Sequence, residues 1–91
     1  ASKGEYKEAI ACFIRAISME RQNYLLWYNL GITYRDAGKL EDAKAAINKA
    51  YLINPYDEEA LFNLKDTYLQ LENSAGAIEC ELRLKEIKCK R

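Results

Sequence analysis

The sequence predicts an all-α fold in which antiparallel helical hairpins stack on copies of themselves. Three observations carry this reading. The chain repeats every 34 residues: Ala9, Ala43 and Ala77 share that spacing, as do Gly4 with Gly38, Tyr34 with Tyr68, Phe13 with Ile47 and Leu30 with Leu64. A fixed period of this length marks one supersecondary unit that buries its apolar face against its neighbours. Within each unit, apolar residues recur at three and four, the period of a helix with one buried side. A single proline in 91 residues, beside abundant Ala, Leu, Lys and Glu, leaves little to interrupt those helices.

The elements follow in order, about five of them. A first helix is predicted over 5–20 on the stripe Tyr6, Ala9, Ile10, Phe13, Ala16 and Ile17. A second runs over 24–37 on Trp27, Leu30, Gly31 and Tyr34, opened by Asn23 as N-cap. Gly38 ends it by taking the left-handed conformation. The third, 40–53, carries Leu40, Ala43, Ile47, Ala50 and Tyr51, and Pro55 stops it. Asp57, 34 residues after Asn23, opens the fourth over 58–71 on Leu61, Leu64, Tyr68 and Leu71. Asn73 is expected to replace Gly38 as its left-handed terminator. The fifth, 75–89, is built on Ala77, Cys80, Leu84 and Ile87. Connections of a few residues make sequence neighbours antiparallel.

Composition narrows the function classes. Lys+Arg and Asp+Glu balance at 14 each, so no basic field is available for a nucleic acid backbone. The Lys85–Arg91 tail fits cations at a helix C-terminus better than a nucleic-acid patch. No apolar run approaches the roughly 18 residues of a spanning helix, and no membrane partner is expected. No signal peptide is visible, although the opening Ala1-Ser2-Lys3-Gly4 does not look like a natural beginning. Three cysteines spaced by 68 and 9 residues fit neither a disulfide framework nor a metal site. A helix would hold Cys80 and Cys89 roughly 13 Å apart, too far to bridge. A reducing, cytoplasmic setting is therefore expected. With no histidine, no nucleophile set and no glycine-rich phosphate loop, no enzyme, cofactor or metal is expected either. Cys12 and Cys80 read as ordinary filling on second helices.

Trp27-x-x-Leu30-Gly31-x-x-Tyr34, then Gly38-x-Leu40-x-x-Ala43-x-x-x-Ile47-x-x-Ala50 and Asn54-Pro55, resembles the tetratricopeptide repeat. Residues 57–91 look like a second, degenerate copy of 23–56. Residues 1–22 are similar to the second helix of a preceding copy. The resemblance implies a right-handed solenoid whose motif residues are structural: Gly31 and Ala43 let two helices cross closely, while Trp27, Tyr34 and Ile47 fill around them. It also implies a concave groove lined by first helices, whose outward residues here are Leu25, Tyr28, Asn29, Ile32, Arg35 and Asp36, then Glu59, Phe62, Asn63, Asp66 and Gln70. Asn29 and Asn63, 34 apart, are expected to stack as a ladder able to read a peptide backbone, since an amide donates and accepts at once. Tyr28 and Phe62 would flank it with flat apolar area. The family's carboxylate clamp, two asparagines and three basic residues, finds only one matching asparagine in either register, so no clamp is expected.

Two positions depart from the motif. Lys65 stands where Gly31 stood, and Glu81 where Ile47 stood. A lone buried charge would cost on the order of several kcal/mol, so the two are expected to pair or both to be solvated, with the contact favoured. The resemblance implies a non-catalytic scaffold that binds an extended peptide or a partner helix. The alternatives are a self-assembly segment and the scaffold arm of a larger enzyme. Homo-oligomers through exposed ends are expected, because part of the Tyr6, Ala9, Ile10, Phe13 and Ile17 stripe should stay open, as should Ile78, Leu82 and Cys89.

Overall fold

The computed structural model describes residues 3–89, with no account of the Lys3 side chain. It consists of α1 (Lys3–Met19), α2 (Tyr24–Asp36), α3 (Leu40–Ile53), α4 (Glu58–Gln70) and α5 (Ser74–Cys89), and no strand occurs among these residues. Every helix lies within two residues of its expected bounds.

Local chemistry sets the boundaries. Asn23 Oδ1 accepts from the Leu25 and Leu26 amides at 3.1 and 3.4 Å. Asp57 Oδ1 accepts from Glu59 N at 2.9 Å. Each satisfies donors that a helix start would otherwise leave bare. Gly38 has φ +82°, and behind it Lys39 N donates to Tyr34 O at 2.8 Å. The next repeat closes identically, Asn73 N donating to Tyr68 O at 2.8 Å. Its left-handed residue, however, is Glu72 at φ 58°, not Asn73. The period itself demands this, since 72 is 38 plus 34. Asn73 instead serves α5, its Oδ1 accepting from Gly76 N at 3.0 Å.

Each helix packs on its chain neighbour, giving a flat stack of 41 × 29 × 17 Å. One core gathers Ile17, Leu30 and Ala46 with Phe13, Trp27 and Tyr34 around them. The other gathers Ile47, Leu61, Leu64 and Cys80, flanked by Ile32, Tyr51, Tyr68 and Leu84. Ile47 and Leu61 are wholly buried, and each such side chain contributes about 1.5–3 kcal/mol. A Cβ on Gly31 would overlap Ile47 Cγ1 and stand 3.1 Å from the Ile47 amide nitrogen, so the close crossing of α2 and α3 requires glycine there.

In the second hairpin the same place holds an ion pair. Lys65 Nζ lies 2.7 Å from Glu81 Oε1, with the side chains 24% and 50% exposed. The charges stay wet enough to avoid a large desolvation cost. The pair keeps α4 and α5 together where Gly31 and Ile47 allowed direct contact.

The α1 stripe packs on α2 only in part: Ile17 is buried, Tyr6, Ala9, Ile10 and Phe13 are half-buried, and Tyr6 and Ile10 border a hollow of about 820 Å³ beside Tyr34. The large apolar residues exposed on α1 are Ile14 and Met19. One expectation about the surface is corrected. Cys12 is exposed rather than filling, although Ala46 and Cys80 at its repeat equivalents are buried. Those two lie between helices, whereas among the described residues no element covers the side of α1 away from α2. At the other end Ile78 and Leu82 are each 56% exposed, as expected.

Candidate functional site

The polar chemistry of the stack concentrates where α2 and α4 lie side by side. Asn63 Nδ2 donates to Tyr28 Oη at 2.7 Å and to the Glu59 carbonyl, one turn earlier, at 2.9 Å. Asn63 Oδ1 accepts from Arg35 Nη1 at 2.6 Å. The amide thus uses both donors and its acceptor inside the protein. Burial foremost, and then a hydrogen bond to the Glu59 carboxylate, raises the pKa of the Tyr28 phenol above its ordinary value. Tyr28 also stacks on Tyr24, one turn away, with ring centroids 5.8 Å apart. Glu59, Tyr28, Asn63 and Arg35 therefore form one continuous brace between the hairpins.

Asn29 is different. It is exposed, its side-chain amide bonds to none of the described residues, and its backbone carbonyl also accepts from the Thr33 hydroxyl at 2.8 Å. The two asparagines share a register but not a state: Asn63 is spent on the fold, while the Asn29 amide faces solvent. Ile32 is half-buried against the core that contains Ile47 and Leu61. Asp66 is half-buried, while Asp36, Glu59 and Gln70 are exposed. Leu25 and Phe62 stand out at 60% and 57% exposure.

Phe62 also borders a hollow of about 470 Å³ between α4 and α5, together with Glu58, Glu59, Lys65, Glu81, Leu84, Lys85 and Lys88. The place of Lys85 and Lys88 here was not drawn from the sequence, where they read as tail cations. The period was the available signal, since it sets them on Tyr51 and Asn54. Among the described residues no group of three or more His, Cys, Asp or Glu could hold a metal ion. No helix there is long and apolar enough to cross a membrane. Burial pushes the Cys80 thiol up to about 11, so it carries almost no thiolate at neutral pH.

A family model described as TPR repeat matches residues 1–38, and one described as Tetratricopeptide repeat matches residues 24–57. The chain belongs to the tetratricopeptide repeat family. Such repeats are protein–protein interaction scaffolds and generally non-catalytic. The chain is 28% identical over 78 residues to the transcription factor tau 131 kDa subunit of Saccharomyces cerevisiae, covering 86% of this chain and 8% of that protein. A crystal structure of MamA superposes with a TM-score of 0.88 at 24% identity, covering 94% of this chain and 50% of the other. A second structure, MamA MSR-1 C2, gives 0.85 at 15% identity over 94% and 49%. The chain thus spans about half the length of these structures, and they establish the fold alone.

Proposed function

We propose that this chain is an adaptor segment that binds an extended peptide or a partner helix in a groove along α2 and α4. The observation that carries the reading is the Glu59–Tyr28–Asn63–Arg35 brace. It fixes two first helices rigidly beside each other and leaves Leu25, Asn29, Asp36 and Gln70 turned to solvent. A preorganised surface loses little entropy when it captures a flexible chain. In this reading Asn29 reads the peptide backbone, Leu25 and Phe62 supply apolar contact, and Asn63 positions rather than binds. Three free cysteines support a reducing, cytoplasmic setting. The yeast relative is a subunit of a larger factor, which fits an assembly role.

Selection of binding peptides against the chain, followed by Asn29→Ala, tests this. Loss of a backbone-reading amide should weaken binding by roughly 1–3 kcal/mol. Unchanged affinity with the fold intact would remove Asn29 from the site. A second reading, self-association through one end, is favoured by the exposure of Ile78 and Leu82. Sedimentation of the chain with and without Leu82→Ser decides it: a monomer at high concentration excludes self-association.

A further inference from the structure

The repeat builds the same hollow twice inside the stack. Where α3, α4 and α5 meet, a hollow of about 310 Å³ reaches down to Leu61, Leu64, Tyr68 and Cys80. Subtracting 34 carries these four onto Trp27, Leu30, Tyr34 and Ala46, which line a hollow of about 270 Å³ where α1, α2 and α3 meet. At each, a basic side chain from one repeat position lies on an aromatic wall. Lys49 Nζ stands 5.9 Å from the centre of the Trp27 ring, and Arg83 Cζ 5.3 Å from that of Tyr51. The two covers are not held alike. Among the described residues Lys49 has neither a hydrogen bond nor an ion pair beyond that contact. Arg83 is tied twice more: Nη1 donates to Tyr51 Oη at 2.5 Å, and Nη2 pairs with Glu79 Oε1 at 2.9 Å. Tyr51, Pro55 and Arg83 also border a second hollow of about 180 Å³, on the side of Tyr56 and Ile87. The Arg83 side chain is thus part of the wall between the two.

We infer that Arg83 is a strap: reaching from α5 to α3 and anchored on Tyr51 and Glu79, it closes the passage from solvent to Cys80, and its release opens that passage while the helices stay folded. The strap and the floor beneath it differ in what holds them. The Arg83 and Glu79 side chains are 45% and 64% exposed, so water can replace each of their contacts at small cost. Leu61 and Leu64 are held instead by burial against Ile47, in a core that does not include Arg83. Contacts of the first kind open locally, at a lower free energy than unfolding of the core. Cys80 reports the opening, because it lines the hollow yet is only 3% exposed with the strap in place.

The test is the rate at which N-ethylmaleimide alkylates Cys80 in the 91-residue chain carrying Cys12→Ser and Cys89→Ser, both exposed positions. Arg83→Ala should accelerate it roughly 5–30-fold, the factor that one or two lost contacts of this kind represent. Tyr51→Phe with Glu79→Gln removes both polar anchors but leaves the guanidinium, and should give a smaller gain of about twofold or more. The Arg83 charge lowers the Cys80 pKa, so its loss makes the thiol less acidic, and an acceleration reports access rather than acidity. Urea separates the strap from unfolding. Alkylation through the released strap should hold a nearly constant rate below the unfolding transition, whereas a route through the unfolded chain climbs steeply with urea. Lys49→Ala, which removes the equivalent cation over Trp27, should leave the Cys80 rate unchanged. An Arg83→Ala rate equal to the parent's, an acceleration that follows urea as unfolding does, or the same gain from Lys49→Ala would each overturn the inference. The strap joins α3 and α5, so its failure leaves the groove reading along α2 and α4 standing.

Discussion

Asn63→Ala separates the brace from the ladder that the sequence suggested. Three hydrogen bonds vanish: two neutral ones, to Tyr28 and the Glu59 carbonyl, and one from the Arg35 guanidinium. At about 0.5–1.5 kcal/mol for each neutral bond and about 1.5–3 for the charged one, the ceiling is about 2.5–6 kcal/mol. Asn63 is only half-buried, so water replaces much of this. Alanine also returns about 0.5 kcal/mol of helix propensity. The expected net loss is about 1–2 kcal/mol, or roughly 5–15 °C in Tm for a domain of this size. Asn29→Ala, at an exposed and unbraced position, should stay within about 0.5 kcal/mol of the parent. Thermal and urea unfolding followed by circular dichroism measures both. A cycle with Tyr28→Phe isolates the Asn63–Tyr28 term, with a coupling energy of about 0.5–1 kcal/mol expected. Equal stability of the two alanine variants, or zero coupling, would refute the brace.

Glu72→Gly should stabilise the chain by about 0.5–1 kcal/mol, because it relieves a non-glycine residue at φ 58°; an unchanged urea midpoint would count against that strain. Lys65 holds the Glu81 carboxyl below its ordinary 4.5 through a hydrogen bond and its charge. The stability contributed by the pair is therefore complete above that value and is lost as pH falls through the lowered folded pKa. Carboxyl titration by NMR should find Glu81 depressed, and Lys65→Met should move it back up toward the ordinary value, Lys85 still lowering it a little. Thiol labelling at neutral pH should modify exposed Cys12 and Cys89 rapidly and spare Cys80, buried and raised to about 11, until the chain unfolds; equal rates at all three would contradict the packing of α5.

The sequence by itself determined the five helices, their ends to within two residues and their order of packing. These depend on interactions within a turn or on a period repeated along the chain: Asn23 and Asp57 as caps, Gly38 as terminator, stripes at three and four. It also favoured the Lys65–Glu81 contact over two solvated charges, because two departures from one motif fell on paired positions, and the structure has the contact. The period also points to position 72 as the left-handed terminator, against the residue preference for asparagine at 73.

Only the tertiary structure decided what the equivalent residues do. Asn29 and Asn63 occupy the same place in their repeats, yet α4 brings Asn63 against Tyr28 and Arg35, while the Asn29 amide meets no such partner. Cys12 and Cys80 likewise differ only in what packs over them. Lys85 and Lys88 border a hollow only because α5 stands beside Phe62. A repeat fixes where a side chain points relative to its own helix, but burial and hydrogen bonding depend on the neighbour that arrives from elsewhere in the stack.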